Sequence, residues 1–593
     1  MSEIPPGTTT VLALDFGTTY SGVAWAQVAS PEFHYLINQW PLDTSGSRGG
    51  MTSEKVPTEL AFIYRRSKRK IGWGFQIPET MPRLQCFKLR LDPDQKELIF
   101  SALAKSHKDW RQMNYPHHAT PVSVTTDYLR AVLNHVHSVL KSQVGPAFDH
   151  MTFVNVITVP AMWSDKARAC QRTCATDAGF GDGSSIHIIS EPEAAAIHAL
   201  RASSPNNLDV GDTVLLIDAG GGTVDLITFT IEQLLPCLRL REAASGIGAY
   251  CGSSYLNRRF EDFIRQTLAS DPDWNSDTLD DAMERFELFA KRRFTGDTTD
   301  TFTFPVPGIA DNEDLNVRRG RFQITGQEMR DIFLPVLAQV LKLAKQQIES
   351  SQEPIKAALL VGGFGQNQFL RNYLQDNISQ DIRVLAPPDG WSAVVRGALA
   401  KVLSQASPTI PQVLITSRIA RLHYGHLRRA LFDPLLHERN RAYWNDYRGA
   451  LLIHVMHWCI VQVRLNAVYL SEQHTNSPQS QGQSISEIEP VITEWHMEYL
   501  VSQGRPSEIQ VIFYESATPE PPQYLNRCVR QHATLEAKLD ADLQQLIPIE
   551  IGYDGEKYYV VKFQFHAHYY SAHCSISLWY QSRQQGEVKI SYL

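Results

Sequence analysis

The sequence predicts an α/β fold of two similar lobes, followed by a β-rich C-terminal third, and three observations carry that prediction. The first is Leu215-Leu216-Ile217-Asp218-Ala219-Gly220-Gly221-Gly222-Thr223-Val224-Asp225-Leu226-Ile227, an apolar strand that meets a carboxylate, three glycines and a hydroxyl before the strand resumes. The second is Val11-Leu12-Ala13-Leu14-Asp15-Phe16-Gly17-Thr18-Thr19-Tyr20-Ser21-Gly22-Val23-Ala24-Trp25, which repeats the design. The third is the change of pattern from Ser417 onward, where alternation at the strand period takes over.

Three glycines inside a strand cost backbone entropy. They suit a tight hairpin that another backbone or a ligand must approach closely. Phosphate oxygens can accept hydrogen bonds from the bare amides there. Asp218 would then face hydrated magnesium, an ion that usually keeps several waters and takes few protein ligands. One such stretch would equally suit a plain glycine-rich turn. Two of them suggest similar halves clamping one phosphate chain. Neither is a P-loop, since no Gly-Lys-Ser/Thr follows, and neither opens a helix as the dinucleotide fingerprint does.

At 593 residues the chain calls for roughly three or four domains. It is 43% hydrophobic and 20% charged with net charge −7, the balance of an ordinary soluble protein and not of a nucleic-acid binder with a basic face. No apolar run is long enough for a membrane span, and residues 1–10 lack the basic and apolar regions of a secretory signal. Eight scattered cysteines read as reduced thiols in a cytoplasmic or nuclear protein. Cys170 and Cys174, one helical turn apart, read as packing residues.

Residues 44–55 read as a polar surface loop, 57–64 as a strand, and Arg65-Arg66-Ser67-Lys68-Arg69-Lys70 as a solvated basic turn. Cys86-Phe87-Lys88-Leu89-Arg90-Leu91 sets one lysine in an apolar context, where a phosphate oxygen or an attacking water would partner it. Residues 125–144 have helical spacing, with Ser123 or Thr125 as cap. A buried strand over 153–160 precedes a helix over 164–178 that ends at Gly179. Strand 186–189 leads to Glu191-Pro192-Glu193, where Pro192 opens a helix and Glu191 can point into a cleft. Residues 246–254 form a third glycine-rich loop before a helix over 255–268, whose N-terminus suits a phosphate. Helices follow over 284–294 and 326–350. Residues 357–365 make a strand and glycine turn on which a nucleoside can lie, ahead of a helix over 367–375, and 387–399 close this half with another helix.

Five stretches in this order resemble the nucleotide-binding domain of the seventy-kilodalton heat-shock protein family, of the actin-like (ribonuclease H-like) ATPase superfamily. They are Leu14-Asp15-Phe16-Gly17-Thr18-Thr19, Ile157-Thr158-Val159-Pro160-Ala161, Glu191-Pro192-Glu193-Ala194-Ala195-Ala196, Ile217-Asp218-Ala219-Gly220-Gly221-Gly222-Thr223-Val224-Asp225 and Leu360-Val361-Gly362-Gly363. Together they cover about residues 10–402. Val361-Gly362-Gly363-Phe364-Gly365 resembles the atypical heat shock 70 kDa protein 12-like branch of fungal type.

The resemblance implies lobe I over about 10–203 plus 387–402, lobe II over about 212–386, a linker at 406–416, and a C-terminal domain over 417–593. It implies that Gly17, Thr18 and Thr19 hold phosphates from one lobe, and Gly220, Gly221, Gly222 and Thr223 from the other. Asp15 and Asp218 would hold magnesium through water. Lys88 would orient the attacking water, with Glu191 nearby and Asp218 completing the catalytic set. Gly252 would join the phosphate loops, Gly362, Gly363 and Asp389 would contact the nucleoside, and Lys291 the ribose or base. Such hydrolysis works by positioning and charge neutralisation. The pattern departs in three places. Phe364 and Gln366 stand where the family has serine and a basic residue. An acidic residue of the adenosine-side helix falls one place off register, at Glu287. The family's acidic, leucine-rich linker is replaced by Gln412-Val413-Leu414-Ile415-Thr416.

In the last third, residues 454–463 and 558–566 read as strands, the latter after an Asp554-Gly555 turn. Residues 471–486 read as a flexible loop. His566, His568 and His573 read as solvated rather than metal-binding. The only helical candidate is 534–546, too short for a lid. The expected protein is an ATP-binding, weakly hydrolysing chaperone that takes extended or unfolded polypeptide and, by the resemblance, co-chaperones. Its rivals are a nucleotide-dependent scaffold or sensor with little turnover and a small-molecule kinase of the superfamily.

Overall fold

The computed structural model describes residues 9–592 apart from 43–51, 66–67, 79–80, 93–118, 183–184, 203–207, 408–409, 412, 462–483, 488, 570–573, 581–582 and 585–587. Two compact units result, Met1–Leu414 and Ile415–Leu593. His573 and most of the loop expected at 471–486 lie outside the described residues; Ser484–Ser486 is a short strand.

Two sheets of the same plan organise the first unit. In one, the strand order is Tyr35–Leu36, Tyr20–Gln27, Thr9–Asp15, Thr152–Val159, Ile186–Ser190. In the other, five strands run Leu238–Ala249, Val224–Gln233, Thr213–Ala219, Ile355–Val361, Arg383–Leu385. Each has an antiparallel hairpin whose first strand pairs in parallel with the strand that follows in the sheet. The central strands are buried on both faces, Thr9–Asp15 and Thr213–Ala219 along their whole length. That is why they read as apolar runs without alternation.

Helices cover the sheets. Pro121–Val144 begins four residues before the expected start: Thr120 caps it in a reciprocal box with Ser123, and Pro121 fills the first helical position. Asp165–Ala178 starts from the Ser164 cap and stops at left-handed Gly179. Ala393–Ala406 lies against Glu191–Ala202. A Cβ at Gly397 would come within 1.6 Å of the Ala194 carbonyl oxygen, so only glycine permits this approach. The second lobe fills its core with phenylalanines, among them Phe260 stacked on Phe286 at 4.2 Å between ring centroids.

Several readings are corrected. The third glycine-rich stretch begins as strand, since Leu238–Ala249 runs through Gly246 and Gly248. The end of the basic turn opens the strand Lys68–Trp73, paired with Leu60–Arg65. The stretch 413–416 of the expected linker belongs to the strand Val413–Ile419.

The second unit is a sandwich. One sheet is ordered Tyr443–Asn445, Ala450–Ile460, His423–Leu431, Glu508–Ser516, Val529–Lys538, Val588–Tyr592. The other contains Val491–Leu500, Lys557–Tyr569 and Cys574–Tyr580, with Ile549–Ile551 also on Lys557–Tyr569. Val511, Phe513 and Leu535 of the first meet Val561, Phe563 and Phe565 of the second in one core. The helix expected over 534–546 is strand as far as Lys538. Ala533, Leu535, Ala537 and Leu539 are all buried, a period of two that outweighs helical propensity. Among the described residues of this unit the only α-helix is Ala541–Gln545, and none forms a lid.

Candidate functional site

Both hairpins bring a carboxylate to the end of a buried strand. Asp15 closes Thr9–Asp15, and Asp218 sits one residue from the end of Thr213–Ala219. Asp225 lies directly across from Asp218 in the ladder, so both side chains share a face. The tips of the hairpins mesh. A Cβ on Gly221 would stand 2.0 Å from Thr19 Oγ1, and one on Gly222 would stand 2.6 Å from Thr18 Cγ2. The bare glycines are therefore needed for one hairpin to approach the other, as well as for any ligand.

A cleft of about 600 Å³ opens between the lobes, a size typical of small-molecule sites. Of the residues expected there, Asp15, Gly17, Thr18, Thr19, Glu191, Asp218, Gly220, Gly221, Gly222, Thr223, Lys291, Gly362, Gly363 and Asp389 line it. Lys88 and Gly252 do not. Gly252 supports the glycine hairpin from behind. Its N–H donates to the Gly222 carbonyl at 3.2 Å, and the Ser253 and Ser254 N–H groups donate to Gly220 and Gly221 at 3.1 and 2.8 Å. The start of the helix Ser254–Leu268 thus gives its first donors to the hairpin.

Acids crowd the floor. Burial raises the Asp218 carboxyl well above its usual range, and the charges of Glu191, Asp225 and Asp15 push the same way. Burial likewise raises Glu191 to about 7, against the pull of Lys88. Lys88 is fully buried under Phe16 and Trp163 and donates to Glu191 Oε1 at 2.5 Å. It sits behind Glu191, which faces the cleft. Lys55 is a partner that the sequence did not reveal. Read as part of a surface loop, it is buried, and its Nζ meets Asp15 Oδ2 at 2.5 Å, while Thr158 Oγ1 donates to Asp15 Oδ1 at 3.2 Å. Asp225 was visible in the hairpin motif but had been given no role. Like charges opposed in a ladder are destabilising unless something offsets them, and a divalent cation between Asp218, Asp225 and Asp15 would do so. The carboxylate set fits magnesium.

The far wall brings two loops together, at Gly362-Gly363 and at Gly390-Trp391. Gly362 is left-handed at φ +84°, and any Cβ there would meet Asp218 Oδ1 at 2.5 Å and the Ala219 carbonyl. Its N–H donates to the Gly390 carbonyl at 2.9 Å, joining the two loops. The Trp391 indole lies beside Gly363 and stands edge-on to Tyr20 at 5.8 Å. Opposite, Lys291 bonds Glu287 and, at 3.0 Å, Asn257 Oδ1. Burial alone would raise Glu287, but the Lys291 ammonium and the Asn257 amide hold its carboxyl below the usual value. Burial lowers Lys291.

Glu287, one place off the family's register in sequence, sits in an irregular helix. The α-helix Ser276–Arg285 passes into a π turn, Phe286–Ala290, before Lys291–Arg293. Glu287 lies in this wider turn and lines the cleft. Turns of this kind are concentrated at functional sites.

Residues 52–416, more than half of the chain, match the family model described as Hsp70 protein. Heat shock 70 kDa protein 12A of Homo sapiens is 24% identical over 518 residues, 70% of this chain and 71% of that protein. Heat shock 70 kDa protein 12B of Homo sapiens is 22% identical over 511 residues, 70% of each. A ribosome-associated molecular chaperone of Saccharomyces cerevisiae is 28% identical over 427 residues, 68% of this chain and 64% of that protein. No helix among the described residues is long and apolar enough to cross a membrane.

Proposed function

This chain belongs to the Hsp70 family, and on that premise we propose that its first unit binds ATP or ADP in the interlobe cleft and hydrolyses ATP slowly. The observation that carries the reading is the acidic floor, with Glu191 held by a buried lysine, beneath two meshed glycine hairpins. The amides and hydroxyls of residues 17–19 and 220–223 hold the phosphates. Asp218, Asp225 and Asp15 would hold magnesium, which neutralises phosphate charge when bound. Glu191 faces the cleft, so it receives the attacking water. Lys88 acts through Glu191 as a positioning residue. Trp391 and Gly363 take one face of the base, and Lys291 and Arg292 line the opposite side.

The second unit would take extended or unfolded polypeptide. Supporting this is the apolar side chain display of Trp444, Ile551 and Tyr553, all exposed, with Trp444 and Tyr553 in edge contact. The sandwich has no lid among its described residues, and binding is accordingly weak and fast. A second reading, a nucleotide sensor with negligible turnover, is favoured by the double engagement of Asp15 and by Lys88 being kept out of the cleft.

The test is calorimetric binding of ATP and ADP to the full chain with and without magnesium, followed by single-turnover hydrolysis with and without an unfolded polypeptide. Magnesium-dependent binding with hydrolysis above background supports the first reading. Tight binding with no turnover replaces it by the second. No binding at all removes both.

A further inference from the structure

A cluster in the second unit belongs to neither reading. His423–Leu431 pairs antiparallel with Ala450–Ile460, and His426 lies directly opposite His457. Between the pairs Gly425–Trp458 and Tyr424–Ile460 the register slips, leaving Cys459 as the extra residue of a bulge. Bulges re-aim side chains. Gly425 makes this one possible, since a Cβ there would stand 2.3 Å from the His457 carbonyl oxygen. As a result, ligand atoms of His426, His457 and Cys459 all lie within 4.8 Å of one another.

His426 is 3% exposed and its ring lies 3.8 Å from that of Trp495. Its Nδ1 faces the Leu427 carbonyl oxygen at 3.2 Å. A proton on Nδ1 donated to that carbonyl leaves a lone pair on Nε2. Nε2 is buried and has no hydrogen-bond partner among the described residues. A backbone carbonyl fixing one ring nitrogen while the other stays bare is the usual outer-shell arrangement of a metal-ligating histidine.

We propose that His426, His457 and Cys459 form a site for a borderline-soft divalent cation of the zinc class. Two imidazoles and a thiolate match that ion. With metal–ligand bonds of about 2.0–2.3 Å, tetrahedral ligand atoms stand roughly 3.3–3.7 Å apart. The cluster therefore reaches the geometry by a contraction of at most about 1.5 Å. Three protein ligands leave a fourth position for water or another donor. The ion displaces the Cys459 thiol proton as the sulfur–metal bond forms, so one proton is released per ion bound. An ion there would pin the bulge between two adjacent strands of the sandwich.

The test uses the full chain, reduced and chelator-treated, titrated with Co(II) and then Zn(II). One equivalent of Co(II) is expected to give a thiolate-to-cobalt charge-transfer band with intense d–d bands, and Zn(II) to bleach both. Cys459→Ser should remove the charge-transfer band, and His457→Ala should weaken binding ~10-fold or more, each with the wild-type circular dichroism. Because His426 is packed on Trp495, His426→Gln is scored only if it folds, and it should then lose the site. A spectrum without a thiolate band, or one that survives Cys459→Ser, overturns the proposal. So does full-strength binding by folded His426→Gln. Cys459→Ser decides the matter if His426→Gln does not fold.

Discussion

Replacing Gly222 by alanine tests whether the hairpins must mesh. The added Cβ would stand 2.6 Å from Thr18 Cγ2, 2.7 Å from its Oγ1 and 2.8 Å from its Cβ. Restoring Cγ2 to an ordinary contact of roughly 3.5 Å opens the hairpins by about 1 Å. Overpacking of this kind costs about 2 kcal/mol; the free chain relieves it by parting the hairpins, and a nucleotide that needs them closed then loses up to roughly 30-fold in affinity. Turnover should fall further, by ~10²-fold, because a 1 Å misplacement at a positioned phosphate is costly. The informative variant is the double one. Thr18→Gly removes all three atoms that the new Cβ would meet. If the clash sets the penalty, Gly222→Ala should cost little in the Thr18→Gly background, a strong coupling in a double-mutant cycle. If crowding of the phosphates sets it, the penalty should persist unchanged. The assay is calorimetric ADP binding with magnesium, alongside thermal unfolding to verify the fold. Wild-type affinity in folded Gly222→Ala would refute the reasoning about the site, and additive costs would refute the reasoning about the mesh.

Lys88→Ala should lower turnover by ~10²-fold and affinity much less; equal losses in both would show that Lys88 supports binding and not chemistry. The Glu191 carboxyl is raised from 4.5 to about 7, so between those values the folded chain keeps a proton that the unfolded chain has lost. Stability should therefore fall as pH rises through that window, and Glu191→Gln should flatten this part of the denaturation-midpoint profile; an unchanged slope would place the shift elsewhere. Trp391→Ala should weaken ADP binding about tenfold, as loss of base stacking does, and leave magnesium pyrophosphate binding unchanged; equal weakening of both would remove the base-side role. Peptide bound by the second unit should leave within seconds with or without ATP; release over minutes that ATP accelerates would sink the lidless reading.

The floor of the cleft was legible because its chemistry is written in contiguous residues. An acid, glycines and a hydroxyl at a strand end mean nearly the same thing wherever they occur, and the repeat at Asp15 and Asp218 named both halves. Matching strand orders in the two sheets follow from that repeat. Lys55 was not legible. It sits in a polar, glycine-bearing stretch, and its burial depends on Asp15, which is distant in sequence. Gly252 looked like a phosphate loop because nothing local says that its amide is spent on Gly222. The Val529–Lys538 strand was missed for a different reason: alanines at 533 and 537 favour helix locally, and only the sheet partners on both sides decide the matter.

The π turn at Phe286–Ala290 has a consequence for kinship. Insertions are usually absorbed by loops, where they leave packed faces alone. A π turn holds one residue more than an α turn, so a helix can take up a single extra residue there without turning its flanking faces. A comparison that pairs positions by counting will set Glu287 against the wrong neighbour in any relative lacking the bulge. One that pairs them by the side of the helix they occupy compares like with like, and can ask whether the Glu287–Lys291 contact recurs. Gain or loss of a single codon in this segment can thus leave the wall of the cleft intact, and drift in apparent register here is no measure of drift in what the wall contacts.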